Sequence, residues 1–157
     1  MTSPRHKEAE QEERRHWMGV LARASVDALE EAWQGLETQP DHVWVRRPES
    51  GMTMVRGRAN GNGVPFNLGE MTVTRCALRL EDGVMGVAYV QGRDHRHAEL
   101  AALFDALLQR PAMRAALQRT VIAPLERRRR EAGEAARRRT AATRVEFFTM
   151  ATGRGAA

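Results

Sequence analysis

Apolar residues follow a helical period at both ends of the chain and a period of two in the middle. Trp17, Met18, Leu21 and Ala22 stand at i, i+1, i+4 and i+5, one stripe of a helix predicted over about 11–24. The polar stretch before it, 1–10, is expected to be frayed. Ser25 is placed to cap a second helix, with Asp27 near its positive end. Leu29, Trp33 and Leu36 continue that helix, and Pro40 closes the section. The period then changes. Val43 and Val45 flank Trp44, and Met52, Met54 and Arg56 oppose Thr53 and Val55. Asn60-Gly61-Asn62-Gly63 marks a turn, because Asn and Gly tolerate positive φ. Glu70 to Leu80 reads as the longest strand: Thr72, Thr74, Cys76, Leu78 and Leu80 share one face, and Met71, Val73, Arg75, Ala77 and Arg79 the other. Glu81-Asp82-Gly83 turns the chain into a returning strand, Val84 to Val90. Connections this short exclude parallel crossovers, so the pattern predicts an antiparallel meander of about four strands.

Gln91-Gly92-Arg93-Asp94 leads from strand to helix, with Asp94 as N-cap and Leu100, Leu103, Phe104, Leu107 and Leu108 as the apolar stripe. Pro111 opens a further helix carrying Met113, Leu117, Val121 and Ile122, and Pro124 kinks or restarts it. The segment 126–139 is predicted to be an exposed helix, and Val145, Phe147, Phe148 and Met150 form a short apolar tail. Helices, then strands, then helices predict an α+β fold. It is an antiparallel sheet of about four strands with N-terminal and C-terminal helices packed on one face. One domain spans 11–150, between loose ends at 1–10 and 151–157.

Composition narrows the class. With 157 residues and 42% apolar content but only 5% aromatics, the core must lean on Leu, Val, Ala and Met. A single cysteine, Cys76, permits neither an internal disulfide nor a thiolate metal cluster, which suits a reducing cytoplasm. No apolar run reaches the ~20 residues of a membrane span, and the charged N-terminus is no secretory signal. The net charge of +5 is uneven, since 126–139 holds seven Arg against three Glu. That run has two readings, a solvated or subunit-docking helix and a nucleic-acid-binding patch; no aromatics are interleaved with it, which favours the first.

The densest polar cluster is Gln91-Gly92-Arg93-Asp94-His95-Arg96-His97-Ala98-Glu99. A strand feeding a helix N-terminus presents unpaired N–H groups and partial positive charge, and with Arg93 and Arg96 nearby can hold a phosphate. The alternative is local: Asp94 caps, Gly92 turns and the arginines face solvent. His95, His97 and Glu99 alternate at two residues, which does not put ligands on one helix face, so no metal is expected. His97 and Glu99 are candidates for acid–base work, without an accompanying nucleophile. Arg75, mid-strand among apolar neighbours, needs an anion: a carboxylate such as Glu70, or a ligand or partner subunit. Cys76 reads as a small core residue. The candidate phosphate or substrate contacts are therefore Arg75, Gln91, Arg93 and Asp94.

Several ordered motifs add a resemblance. They are Arg15-His16-Trp17-Met18 with Leu21-Ala22, Gly69-Glu70-Met71-Thr72-Val73-Thr74-Arg75, and Tyr89-Val90-Gln91-Gly92-Arg93-Asp94. Further on come His97-Ala98-Glu99, Asp105-Ala106-Leu107, Ile122-Ala123-Pro124-Leu125, and Arg144-Val145-Glu146-Phe147-Phe148-Thr149-Met150. Over about 13–150 the chain resembles the PhnG family, the G subunits of the bacterial carbon–phosphorus lyase core complex. The resemblance implies a cytoplasmic subunit that works with the H, I and J subunits and the ATP-binding-cassette-like K and L subunits. It implies that G, H, I and L together let methylphosphonate displace adenine from ATP, giving ribose 1-methylphosphonate 5-triphosphate. It places nucleosidase chemistry mainly on the I subunit, and the iron–sulfur cluster with S-adenosylmethionine on J. This chain is expected to bind no cofactor and to have no activity alone.

Overall fold

A computed structural model describes residues 4–142. Its elements are α1 (Pro4–Leu21), α2 (Val26–Gln34), β1 (His42–Arg58), β2 (Pro65–Leu80), β3 (Met85–Gln91), α3 (His95–Leu108), α4 (Pro111–Leu117) and α5 (Ala123–Ala142). The fold is α+β, with a three-stranded antiparallel sheet in the order β1-β2-β3 where the pattern suggested about four. The alternating stretches 43–45 and 52–56 are not two strands. The chain instead runs through as one strand of 17 residues, with register shifts between Trp44 and Arg46 and between Arg46 and Glu49. Pro48 is tolerated there because β1 is an edge strand and bulges absorb the lost donor.

α1 begins at Pro4, so residues 4–10 are helical where fraying was expected. Helix-forming Arg, Lys, Glu and Ala fill much of this stretch, and His6 pairs with Glu10 one turn on, at 3.3 Å. Ser25 caps α2, its hydroxyl accepting from Ala28 N–H at 3.3 Å. The hairpin between β2 and β3 closes with Leu80 accepting from Gly83 N–H at 2.9 Å, and Gly83 has φ 86, a left-handed conformation that favours glycine. After α4 a single π turn, Gln118–Ile122, joins α5, with Ala123 N–H reaching Gln118 C=O. It ends just before Pro124, which has no N–H to continue the ladder.

The core centres on α3. Leu100, Leu103, Phe104, Leu107 and Leu108 are buried, as are Ala101, Ala102 and Ala106 between them. A helix buried all round must lie between layers. One side meets Cys76, Leu78, Leu80, Ala88 and Val90 of the sheet; the other meets Trp17 and Leu21 of α1, Leu29 and Trp33 of α2, and Val121, Ile122 and Leu125. Trp33 meets Phe104 edge-on with centroids 5.9 Å apart. Gly86 permits β3 to approach α3: a Cβ there would overlap the Ala102 carbonyl oxygen and lie 2.9 Å from the Ala106 Cβ. The apolar tail expected at 145–150 lies outside the described residues.

Candidate functional site

The strand–helix junction is built by short-range bonds. Gly92, at φ 94, turns the chain out of β3. Its N–H donates to Thr72 C=O at 2.9 Å and its carbonyl accepts from Thr74 Oγ1 at 2.8 Å. Asp94 is the N-cap of α3, as expected, with Oδ1 accepting from His97 N–H at 2.9 Å. A carboxylate therefore already stands at the helix's positive end. Thr74 Oγ1, Ser50 Oγ and His95 Nε2 continue as a polar chain, 3.0 and 3.2 Å apart.

The other candidates at the junction point to separate places. His97 is buried, with Nε2 2.9 Å from Leu21 C=O, so its ring ties α3 to the end of α1. Glu99 pairs with Arg96 at 3.1 Å. Arg96 also donates to both oxygens of Glu30, at 2.9 and 3.1 Å, locking α2 to α3. That hydrogen bond holds the Glu30 carboxyl below its usual range and raises the Arg96 guanidinium. Gln91 and Arg93 are exposed, and neither has an ion pair or side-chain hydrogen bond among the described residues. Arg93 is the cation left open at this junction.

Arg75 lies on the open face of the sheet, away from α3. Its partner is Glu49, with Nε 2.8 Å from Oε1, and not Glu70. Register decides this: Glu49 sits directly across from Arg75 on β1, whereas Glu70 is on Arg75's own strand, across from Met54. Arg46 binds the same carboxylate oxygen at 2.8 Å. The Arg75 hydrogen bond comes first, ahead of the Arg46 charge, in holding the Glu49 carboxyl below its usual range.

Sequence reasoning missed the most heavily bonded polar group. Asp105 is fully buried. Its carboxylate accepts from Arg14 at 3.1 and 2.7 Å, Trp17 Nε1 at 2.9 Å and the Val87 backbone N–H at 3.0 Å. It thus joins α1, α3 and the outer edge of β3, occupying an edge donor that β3 cannot offer to another strand. Arg14 partly covers it, and Arg114 lies 5.7 Å from the Trp17 ring. The available signal was an acid inside the run Leu100 to Leu108, where a lone charge needs partners.

Cys76 is buried, donates through Sγ to Ala98 C=O at 3.1 Å, and is pushed up to about 12 by burial. The arginine-rich helix is tied to the body near its start, by Glu126 with His16 at 2.9 Å and Arg128 with Glu31 at 3.3 Å. Beyond Leu125 no described residue of α5 is buried. No helix among the described residues is long and apolar enough to cross a membrane.

Two comparisons bear on these features. The family model described as "Phosphonate metabolism protein PhnG" matches residues 12–155. The alpha-D-ribose 1-methylphosphonate 5-triphosphate synthase subunit PhnG of Rhizobium meliloti (strain 1021) is 46% identical over 144 residues, covering 90% of each chain. The matched range takes in the Arg14–Trp17–Asp105 node and the Gln91–Glu99 junction alike, and the chain belongs to the PhnG family of phosphonate metabolism proteins.

Proposed function

We propose that this chain is a structural subunit of a ribose 1-methylphosphonate 5-triphosphate synthase in the cytoplasm. It shapes and holds its partners while methylphosphonate displaces adenine from ATP, and supplies no reacting group. The observation that carries this reading is how the acid–base candidates are spent. His97 is bonded to Leu21 C=O, fastening α3 to α1, and Glu99 is paired within α3 to Arg96, the arginine that holds Glu30 of α2. In this reading the I subunit is the most direct partner, with H, J, K and L in the same system. ATP is a substrate of the assembly, the iron–sulfur cluster and S-adenosylmethionine belong to J, and this chain holds no cofactor.

The test is co-expression with the candidate I subunit, size-exclusion chromatography, and an ATP-plus-methylphosphonate assay with H and L present. A stable complex whose turnover requires this chain is expected. Turnover unaffected by its absence overturns the reading. His97→Ala and Glu99→Ala separate structure from catalysis: lost assembly supports fastening, and intact assembly with abolished turnover assigns chemistry to this chain.

A second reading rests on Arg93, exposed and without an anionic partner beside Gln91 at the end of β3. It makes the junction a phosphate contact within the complex. Arg93→Ala would then raise KM for an anionic substrate with assembly unchanged; an unaltered KM ends it.

A further inference from the structure

The sheet face that α3 covers does not stop where α3 stops. His95, in the first turn of α3, reaches Ser50, so the helix starts at the level of Ser50 and Thr74. On one side of that level the face carries Cys76, Leu78 and Leu80, all buried. On the other side β1 and β2 run on as a two-stranded arm to the turn at Gly61. No described residue of 51–69 is buried. Met52 is 70% exposed, Val64 85% and Leu68 65%, with Met54 and Phe66 also open.

A two-stranded hairpin with nothing behind it is marginal in water, and here it is apolar as well. Met52, Met54, Val64, Phe66 and Leu68, five large apolar side chains within seventeen residues, are each at least 47% exposed. Monomers seldom leave more than a few hundred Å² of apolar patch bare. The backbone is open too. β1 is the outermost strand, and β2 meets β3 only from Val73 onward, so 65–71 pairs on one side alone.

Charge selects the occupant. Between 51 and 70 the arm carries Arg56 and Arg58 against a single carboxylate, Glu70, which lies across from Met54, so its balance is positive. Two copies joined arm to arm would bring these cations together, which disfavours a homodimer. We propose that the β1–β2 arm is a docking element, seated in an apolar groove rimmed by carboxylates on a different polypeptide of the synthase. This rests on the subunit reading above.

The test uses the full chain co-expressed with the I, H and L subunits. Met52→Ser with Leu68→Ser removes arm surface that the fold does not need, and Arg56→Glu with Arg58→Glu reverses its charge. Arg129→Ala with Arg137→Ala on α5 is the control. The first pair is expected to weaken assembly at least tenfold with an unchanged circular dichroism spectrum and melting temperature. The charge reversal weakens it several-fold, most at low salt, and the control leaves it alone. Arm variants that assemble like wild type overturn the proposal. So does a dimer of the isolated chain that they abolish, since the occupant is then a second copy. A wild-type chain that joins no complex at all sinks the subunit reading and this inference with it.

Discussion

Leu68 and Leu78 lie on the same strand, yet one is 65% exposed and the other fully buried. The difference between them is what lies above. Over Leu78 the chain supplies α3, closed in turn by α1, α2 and the helices after Pro111. Over Leu68 no layer is present among the described residues. The two edges of the sheet differ in the same way: Asp105 takes the Val87 N–H at the β3 edge, while β1 is bare along its length. A strand with an apolar face is not thereby a core strand of its own chain. Where the covering layer is missing, the same residues become surface for another polypeptide.

Substitutions can break or sharpen this contrast, and the largest effect belongs to Asp105. Asp105→Ala leaves Arg14, Trp17 and Val87 without their shared acceptor and should cost about 3–5 kcal/mol, as for breaking a buried ion pair, read from urea midpoints at constant slope. Leu78→Ala should cost about 2–5 kcal/mol through the cavity it leaves. Gly86→Ala should cost about 1–3 kcal/mol by pushing β3 off the Ala102 carbonyl, with both strand and helix amides exchanging faster. Cys76 has no effect at neutral pH, where the thiol is protonated whether folded or not. Its folded value is raised from 9.0 to about 12, so its contribution is complete below 9.0 and is lost as pH rises toward about 12. Native protein at pH 8 should therefore resist thiol-specific reagents that label it at once in denaturant. Leu68→Ala is the smallest, within about 0.5 kcal/mol; a cost like that of Leu78→Ala would mean the arm is already covered by its own chain.

The α+β class, the order of elements, the Ser25 and Asp94 caps and the two faces of Glu70 to Leu80 were legible because each is a local signal. Alternation, a capping side chain and a Gly in a turn act within a few residues. Glu49 as the partner of Arg75 was not, since it depends on a register set across two bulges. The Asp105 node was half legible: an acid among leucines asks for partners, but Arg14 and Trp17 lie about ninety residues earlier in the chain. The exposure of the arm was not legible for a third reason. Met52, Met54 and Leu68 have the pattern of residues beneath a helix, and a pattern does not say whose helix.

The most direct measurement is hydrogen exchange of this chain alone and within its assembled complex. Amides of 73–79, β3 and α3 should exchange slowly in both. Those of 51–69 should exchange fast in the isolated chain and become strongly protected on assembly. An arm that exchanges equally fast in both states, with protection appearing on α5 instead, would contradict the docking role of the sheet and move it to the arginine-rich helix.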